Sequence, residues 1–511
     1  MNRMDVSSRR LGWIVFLAAF AFALAFQGSR GLWEPDEGRY AGIAAEMLRK
    51  GDFMVPAFND EVPHFAKPPM TYWAVAAGTA LLGRTEWGAR LPNALAFAFT
   101  TWLVLLLGRT FVPSRSWLPP LVYATFLFPY AASNALTTDT LLTLWETLAV
   151  CGFVRWWEGG GVRHRPLFLM WVGFGLAFLT KGPPGLLPLI ALGLFAWMGG
   201  GWKAARRLFC LGGLLVFAVL GLGWYALVAI THPGLMEYFI RDEFARRIAS
   251  GAFHRNPEWY GAFKVYLPTL VLGTLPWTLP LGRAVAAFPA FRQSRPWRRE
   301  VLRGDPWPAF LALWILFPLA LFAISRSRLP LYILPLFIPL ALAAARQTAV
   351  RFLSKVRMVF LFLWIAALLG LKLAGPLYPY PEDSRALARA VSAQVSPIPY
   401  EFVFVDCRPH WGLAYYLDGE VEWATASSAA GIQEEATLAD EMADREAETL
   451  IITPRDNIPA VGAVLEKMRL RGAESGGTAS LVFMRVAFAD HPAPINDAKR
   501  ERVSSLSHPT E

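Results

Sequence analysis

Long apolar runs separated by short basic loops dominate the chain, and that pattern leaves few folds open. A helix needs about 20 apolar residues to cross the hydrocarbon of a bilayer. There, every backbone polar group must find its partner inside the protein. Eleven candidate spans lie at 11–27, 91–108, 117–133, 138–154, 166–180, 184–199, 207–231, 265–288, 308–324, 329–345 and 356–377. The expected fold class is an α-helical polytopic membrane bundle of about 11–13 helices. Composition agrees: 55% of residues are hydrophobic and 17% charged, against about 25% charged in a soluble domain. Disorder, collagen and a disulfide-built secreted scaffold are excluded, and an ordinary cytosolic enzyme fits poorly. Cys151, Cys210 and Cys407 form neither a disulfide framework nor a metal-type pair. Because many spans follow the first one, it reads as an uncleaved anchor.

A twelfth apolar run, 69–82, opens on prolines and reaches only about 21 Å as a helix. The positive-inside rule arbitrates. If 69–82 does not span, the basic residues around Arg9, Arg109, Arg163, Arg206, Arg299 and Arg351 fall in every second loop. If it does span, the first basic segment lies opposite the others. The run therefore reads as a re-entrant or juxtamembrane helix, with the N-terminus inside and the C-terminus outside. The net charge of +10 is then loop bias rather than a nucleic-acid footprint.

Two outer loops are long, 27–88 and 232–264, and mix acidic, basic and aromatic residues. After about residue 377 the composition changes. Strand-like runs at 401–406, 449–453 and 480–486 alternate with helical patterns at 384–394 and 460–470. Residues 1–377 thus read as the transmembrane domain and 378–488 as a small α/β domain on the outer face. The polar tail 489–511 reads as disordered.

The densest chemistry is the run from Trp33 to Tyr40, just after the first span. Pro35 suits the first turn of a helix. Asp36 and Glu37 then sit at its positive end, and Asp36, Arg39 and Tyr40 share a face. By itself this is also what a negatively biased helix start looks like. In the run from His64 to Trp73, prolines fix the backbone around Lys67, which presents an ammonium at the level of lipid phosphates or merely snorkels. Lys181 before Gly182-Pro183-Pro184, then Arg326, Arg328 and Tyr332, and Arg246 with Arg247, bring further cations to the same face. Four loops converging this way point to an anionic lipid head. A carboxylate beside a phosphate needs a task of its own. It could take a proton from an acceptor hydroxyl, or balance an oxocarbenium-like sugar carbon.

The ordered set of motifs resembles the ArnT-like branch of the bacterial GT-C glycosyltransferases, which is related to the protein O-mannosyltransferases. The motifs are Trp33 to Tyr40, Phe65-Ala66-Lys67-Pro68-Pro69, Gly88-Ala89-Arg90-Leu91-Pro92, Thr138-Asp139, Thr180-Lys181-Gly182-Pro183 and Leu329-Pro330-Leu331-Tyr332-Ile333-Leu334-Pro335. The resemblance covers roughly 10–345. It implies a GT-C bundle in the bacterial inner membrane and a periplasm-facing cavity. It further implies a polyprenyl-phosphate sugar donor, undecaprenyl above all, and a lipid, glycan or protein acceptor. On that pattern Asp36, Glu37 and Asp139 are the catalytic acids. Lys67 and Arg247 meet the donor phosphate, with Arg246 an equally close neighbour in sequence. Arg39, Lys181, Arg328 and Tyr332 complete the phosphate side. The family pattern carries Glu where this chain has Ala66, which weakens an assignment to aminoarabinose and lipid A. No cofactor and no metal is called for, although Asp36 with Glu37 could bind a divalent ion. The rival reading is a secondary transporter or flippase for an anionic solute or lipid. It is disfavoured because the midspans read as lacking charge and no inverted repeat is visible.

Topology gives the first prediction. Reporter fusions at Asp60, Glu86 and Cys407 should all read outside; a cytoplasmic signal at Glu86 would mean that 69–82 spans.

Overall fold

The computed structural model describes residues 6–59, 62–239, 241, 255–294, 304–348, 354–426, 436–443 and 448–488. Arg246, Arg247 and the tail 489–511 lie outside the described residues. The chain divides into two compact units. One comprises Met1–Ser29, Phe65–Gly78 and Trp87–Leu377. The other comprises Arg30–His64, Thr79–Glu86 and the chain from Tyr378 onward.

The first unit is helical. Among the described residues six helices are long and apolar enough to cross a membrane: Glu86–Phe111, Pro183–Arg207, Leu211–Thr231, Trp307–Ile324, Pro330–Gln347 and Lys355–Leu373. Helix also covers the expected spans at 11–27, 138–154 and 166–180, as Val6–Leu24, Thr138–Glu158 and Arg165–Lys181. The ambiguous run forms the short helix Met70–Leu82. The core of this unit packs Phe97, Phe153, Trp156, Phe174, Phe195 and Phe310 from five helices, all buried.

Two expected spans are broken instead of continuous. The 117–133 segment splits into Leu118–Thr125 and Leu127–Ala132 around an extended Phe126. Pro129 has no N–H to return to Thr125, so the helix restarts rather than continues. The 265–288 segment splits into Gly261–Gly273 and Thr278–Ala286. Here Pro276 disfavours helical geometry at Leu275. Breaks at membrane depth expose backbone groups, and these two satisfy each other. The Leu127 N–H donates to the Leu275 carbonyl at 3.1 Å. The Trp277 indole N–H donates to Thr125 Oγ1 at 2.8 Å, and that of Trp364 donates to the Thr125 carbonyl at 2.9 Å.

Thr138–Glu158 and Arg165–Lys181 form a tight antiparallel hairpin. A Cβ on Gly152 would lie 2.5 Å from the Met170 nitrogen, and one on Gly173 would lie 2.5 Å from the Ala149 nitrogen. Only glycine lets the backbones come this close, as at small-residue contacts between membrane helices generally. The consequence for function is simple: the hairpin brings the start of one helix beside the end of the other.

The second unit holds a five-stranded sheet, β1 (Glu401–Val405), β2 (Glu420–Ala424), β3 (Thr449–Pro454), β4 (Leu470–Gly477) and β5 (Leu481–Phe488), in the order β2-β1-β3-β5-β4. β1 is parallel to β2 and β3, while β5 is antiparallel to β3 and β4. Side chains alternate, so Val403, Val405 and Ile451 pack on one face and Phe402, Phe404, Leu450 and Ile452 on the other. Burial on both faces explains why β1 and β3 read as continuous apolar runs. β2 and β4 carry charges and glycines and left no such signal. The expected helix 460–470 is Ile458–Lys467, which stops before Arg469 takes a positive φ and β4 begins.

The mutual repair of the two breaks generates a prediction. Thr125→Val leaves a buried indole N–H without its acceptor, which costs about 1–3 kcal/mol. Thermal unfolding in micelles should show a lower midpoint for it than for Thr231→Val. Equal midpoints would mean that the Trp277 contact contributes nothing.

Candidate active site

The sequence-derived residues fall into two clusters, one in each unit. In the transmembrane unit, Thr137 caps the helix Thr138–Glu158, its hydroxyl accepting from the Asp139 N–H. This places Asp139 in the first turn, 5% exposed. Lys181 ends the partner helix of the hairpin, and its Nζ lies 2.5 Å from Asp139 Oδ1. The same ammonium sits 4.9 Å from the centroid of the Tyr332 ring. Carboxylate, ammonium and ring thus form one group drawn from three segments. Tyr332 comes from the short 3-10 helix Pro330–Leu336, whose prolines keep it out of α geometry.

Glu146 belongs here too, and the reading that the midspans lack charge fails at this residue. It lies two turns beyond Asp139 on the same helix face. It is 4% exposed and within electrostatic reach of Lys181 and Asp139. A carboxylate eight positions into an apolar helix was visible in the sequence, but the surrounding Leu and Thr residues masked it.

Arg328 is also buried, at 5% exposed. It donates to the carbonyls of Asn256 and Glu258 at 2.8 and 2.7 Å. Its Nε and the second terminal nitrogen donate to Ala323 O at 3.2 and 3.0 Å. Four of its five N–H groups therefore clamp backbone, which leaves one for any ligand. Arg90 of the Gly88–Pro92 motif is likewise internal and donates to the Gln27 carbonyl at 2.8 Å. Lys67 is half-buried ahead of Met70–Leu82, beside the buried Pro68 and Pro69.

In the second unit the helix Asp36–Lys50 starts where the sequence placed it, with Asp36 and Glu37 in the first turn. The two acids are not equivalent. Asp36 is more than half exposed and pairs with Arg39 at 2.6 Å. Glu37 is buried, takes two bonds from Arg30, and accepts from the Trp33 N–H at 3.0 Å. The Arg30 guanidinium also stacks over the Trp33 ring at 4.1 Å. Glu34, which sequence reasoning gave no role, is buried as well. Ser384 Oγ and the Gly412 N–H donate to its Oε1 at 2.5 and 2.7 Å. Burial pushes its carboxyl up to about 8.

Among the described residues one carboxylate group has metal-like spacing. Glu401, Glu422 and Glu441 have oxygens within 4.8 Å of one another, in the sheet domain rather than near Asp36.

Comparison with known proteins decides the family. Residues 66–224 match the dolichyl-phosphate-mannose-protein mannosyltransferase family. Over 396 residues the chain is 35% identical to the undecaprenyl phosphate-alpha-4-amino-4-deoxy-L-arabinose arabinosyl transferase of Pseudomonas aeruginosa, a match that covers 73% of this chain and 67% of that one. The chain belongs to the ArnT-like family of GT-C glycosyltransferases.

A Pseudomonas fluorescens relative of the same description is 33% identical over 72% of this chain and 64% of its own length. The crystal structure of ArnT from Cupriavidus metallidurans bound to undecaprenyl phosphate superposes with a TM-score of 0.73 at 20% identity, covering 98% of this chain and 99% of that one. At that identity the likeness establishes the fold. This ArnT-like chain is therefore a lipid-phosphate-sugar dependent glycosyltransferase, a multi-pass protein of the bacterial inner membrane that works on the periplasmic side.

The Asp139–Lys181 pair can be tested by stability. Removing one partner of a buried pair leaves an uncompensated charge and costs about 3–5 kcal/mol. Lys181→Met alone should therefore unfold earlier in micelles than the double variant Asp139→Asn/Lys181→Met. A double variant no more stable than the single one would mean that the two do not act as a pair.

Proposed function

We propose that the chain moves a pentose or hexose from undecaprenyl phosphate to a periplasmic lipid or glycan, with Asp36 as the acid that handles the acceptor. The observation that carries this reading is the 35% identity, over 396 residues, to a transferase named for an undecaprenyl phosphate-linked aminosugar. In the reaction the bond from the anomeric carbon to the phosphate oxygen breaks and a bond to the acceptor oxygen forms. The donor phosphodiester becomes a monoester, so negative charge grows on the phosphate oxygens. Fixed cations at that point stabilise the transition state more than the ground state. Lys67 and Arg247 take this part, assisted by Arg39 and Lys181. Arg328 holds the wall through its carbonyl bonds and adds at most one N–H. Tyr332 orients the Lys181 ammonium, and Asp139 balances it. Glu37 is tied to Arg30 and Trp33 and acts by holding the turn.

Asp36 is the acid left with access to solvent. An acceptor hydroxyl would hand it a proton as the new bond forms, while an acceptor phosphate would need only charge stabilisation and positioning. Residues 1–377 form the catalytic domain in this proposal, and 378–488 an accessory α/β domain. Relatives are named for 4-amino-4-deoxy-L-arabinose, but Ala66 lacks the family's carboxylate beside Lys67, so a neutral sugar fits equally well.

The test is turnover by the purified protein in lipid, with undecaprenyl phosphate-linked aminoarabinose and a neutral hexose donor in parallel. The parent should use one of them. Asp36→Asn keeps size and hydrogen bonding, and should lower turnover by about 10²–10⁴ at saturating donor. Activity within a few-fold of the parent would clear Asp36 of any catalytic role.

A further inference from the structure

The buried carboxyl of Glu34 has no part in the chemistry above, yet the acidic turn is built around it. It sits two residues before Asp36 and is 2% exposed. Its Oε1 accepts from Ser384 Oγ and the Gly412 N–H, while its Oε2 has no partner among the described residues. Backbone bonds hold the same segment from both sides: the Glu34 N–H donates to the Glu382 carbonyl at 2.9 Å, and the Ser384 N–H to the Leu32 carbonyl at 3.0 Å. The Trp33 ring stacks on Tyr380 at 4.5 Å, and the Tyr380 hydroxyl donates to the Glu34 carbonyl at 3.3 Å. On the other side the carboxyl lies against the first helical turn. A Cβ on Gly38 would run into the Glu34 carboxyl where it now sits, so the glycine leaves room for it.

We infer that Glu34 is a positioning residue for sugar transfer: through Ser384 and Gly412 of the α/β domain, its carboxyl sets the register of the turn that presents Asp36 and Arg39. This rests on the reading of Asp36 given above. It also gives the α/β domain a task, which is to hold the acidic turn.

Protonation decides how firmly the turn is held. Oε2 accepts from no described donor, and burial of the whole group favours the neutral acid, outweighing the two donors on Oε1 and the Arg39 charge, which favour the carboxylate. Burial raises this carboxyl to about 8, with the Ser384 and Gly412 bonds, the Arg39 charge and the Glu37 charge as smaller influences. The other nearby charged groups are engaged with partners of their own. Glu37 is paired with Arg30, and Asp36 with Arg39. From the opposing segment, Glu382 pairs with Arg408, Asp383 caps the helix Ser384–Gln394, and Arg385 pairs with Glu86. His410, ahead of Gly412, is lowered to about 4 by burial and stays neutral from weakly acid pH upward. Above about pH 8 the Glu34 proton leaves, a bare carboxylate is buried beside Glu37, and the turn loosens.

The linkage sign follows. The folded chain keeps the Glu34 proton between 4.5 and about 8, where the unfolded chain has lost it. Glu34 therefore weakens the fold progressively as pH rises through that window. Glu34→Gln presents the same oxygen to Ser384 and Gly412 and cannot ionise.

The experiment compares pH profiles of turnover for the parent, Glu34→Gln, Glu34→Ala and Asp36→Asn, together with thermal midpoints in micelles. The parent should lose activity above about pH 8, and Glu34→Gln should match it near neutrality without that alkaline loss. The midpoint of Glu34→Gln should gain on the parent's between pH 5 and 8. Displacing a reacting group by about 1 Å can cost about a hundredfold. Glu34→Ala should accordingly lower kcat by tenfold or more, on the order of that estimate, with the donor KM little changed. Superimposable alkaline limbs for the parent and Glu34→Gln would overturn the inference. So would parent-like kcat in Glu34→Ala. If Glu34→Ala does not fold, the Glu34→Gln profile decides alone. An active Asp36→Asn would instead sink the Asp36 reading, an outcome distinct from either of these.

Discussion

The bilayer offers no hydrogen bonds, and the transmembrane unit is organised around that fact. Straight apolar helices meet the demand on their own. Where prolines break the 117–133 and 265–288 segments, the exposed groups must find each other, and the Leu127–Leu275 and Trp277–Thr125 bonds do so across the core. The same constraint governs charge. Asp139 and Lys181 are tolerable at their helix ends because the glycine-tight hairpin delivers opposite charges to one place, and Glu146, deeper in the span, lies within reach of the same pair.

Charge placement also separates residues that look alike in sequence. Arg328 sits in a motif that reads as cationic and ligand-ready, yet it donates to backbone carbonyls, as does Arg90. Arginine suits this work because its fork satisfies several acceptors at once and stays charged in poor solvent. Lysine at 181 makes one short ion pair and an aromatic contact instead, which leaves a compact ammonium whose neighbours define its position.

In the second unit, adjacent acids divide the labour. Glu34 and Glu37 face inward and are held by Ser384, Gly412, Arg30 and the Trp33 amide. Asp36 lies between them in sequence and turns to solvent with Arg39. A helix start places successive side chains about 100° apart, so neighbouring residues must point differently. Which one stays outside depends on what covers the turn, and here the cover is the segment around Ser384 and Gly412. A family of transferases that differ in sugar and acceptor can keep one reaction scheme and vary the surroundings of such a turn.

Elements that depend on local pattern were legible in the sequence. Run length and apolarity marked the membrane helices, and Pro35 with Asp36 and Glu37 marked a helix start. Continuous apolar runs marked β1 and β3, whose burial on both faces writes a one-dimensional signal. The motif order was enough to name the family. Tertiary structure alone decided what depends on partners distant in the chain. The repair of the helix breaks, the meeting of Asp139 with Lys181 and Tyr332, the capture of Arg328 by carbonyls, and the Glu34 contacts with Ser384 and Gly412 all join residues tens to hundreds of positions apart. β2 and β4 belong to the same class, because they become strands by pairing with β1 and β5 rather than through any preference of their own. Periodicity records which face of an element is buried; it does not record against what.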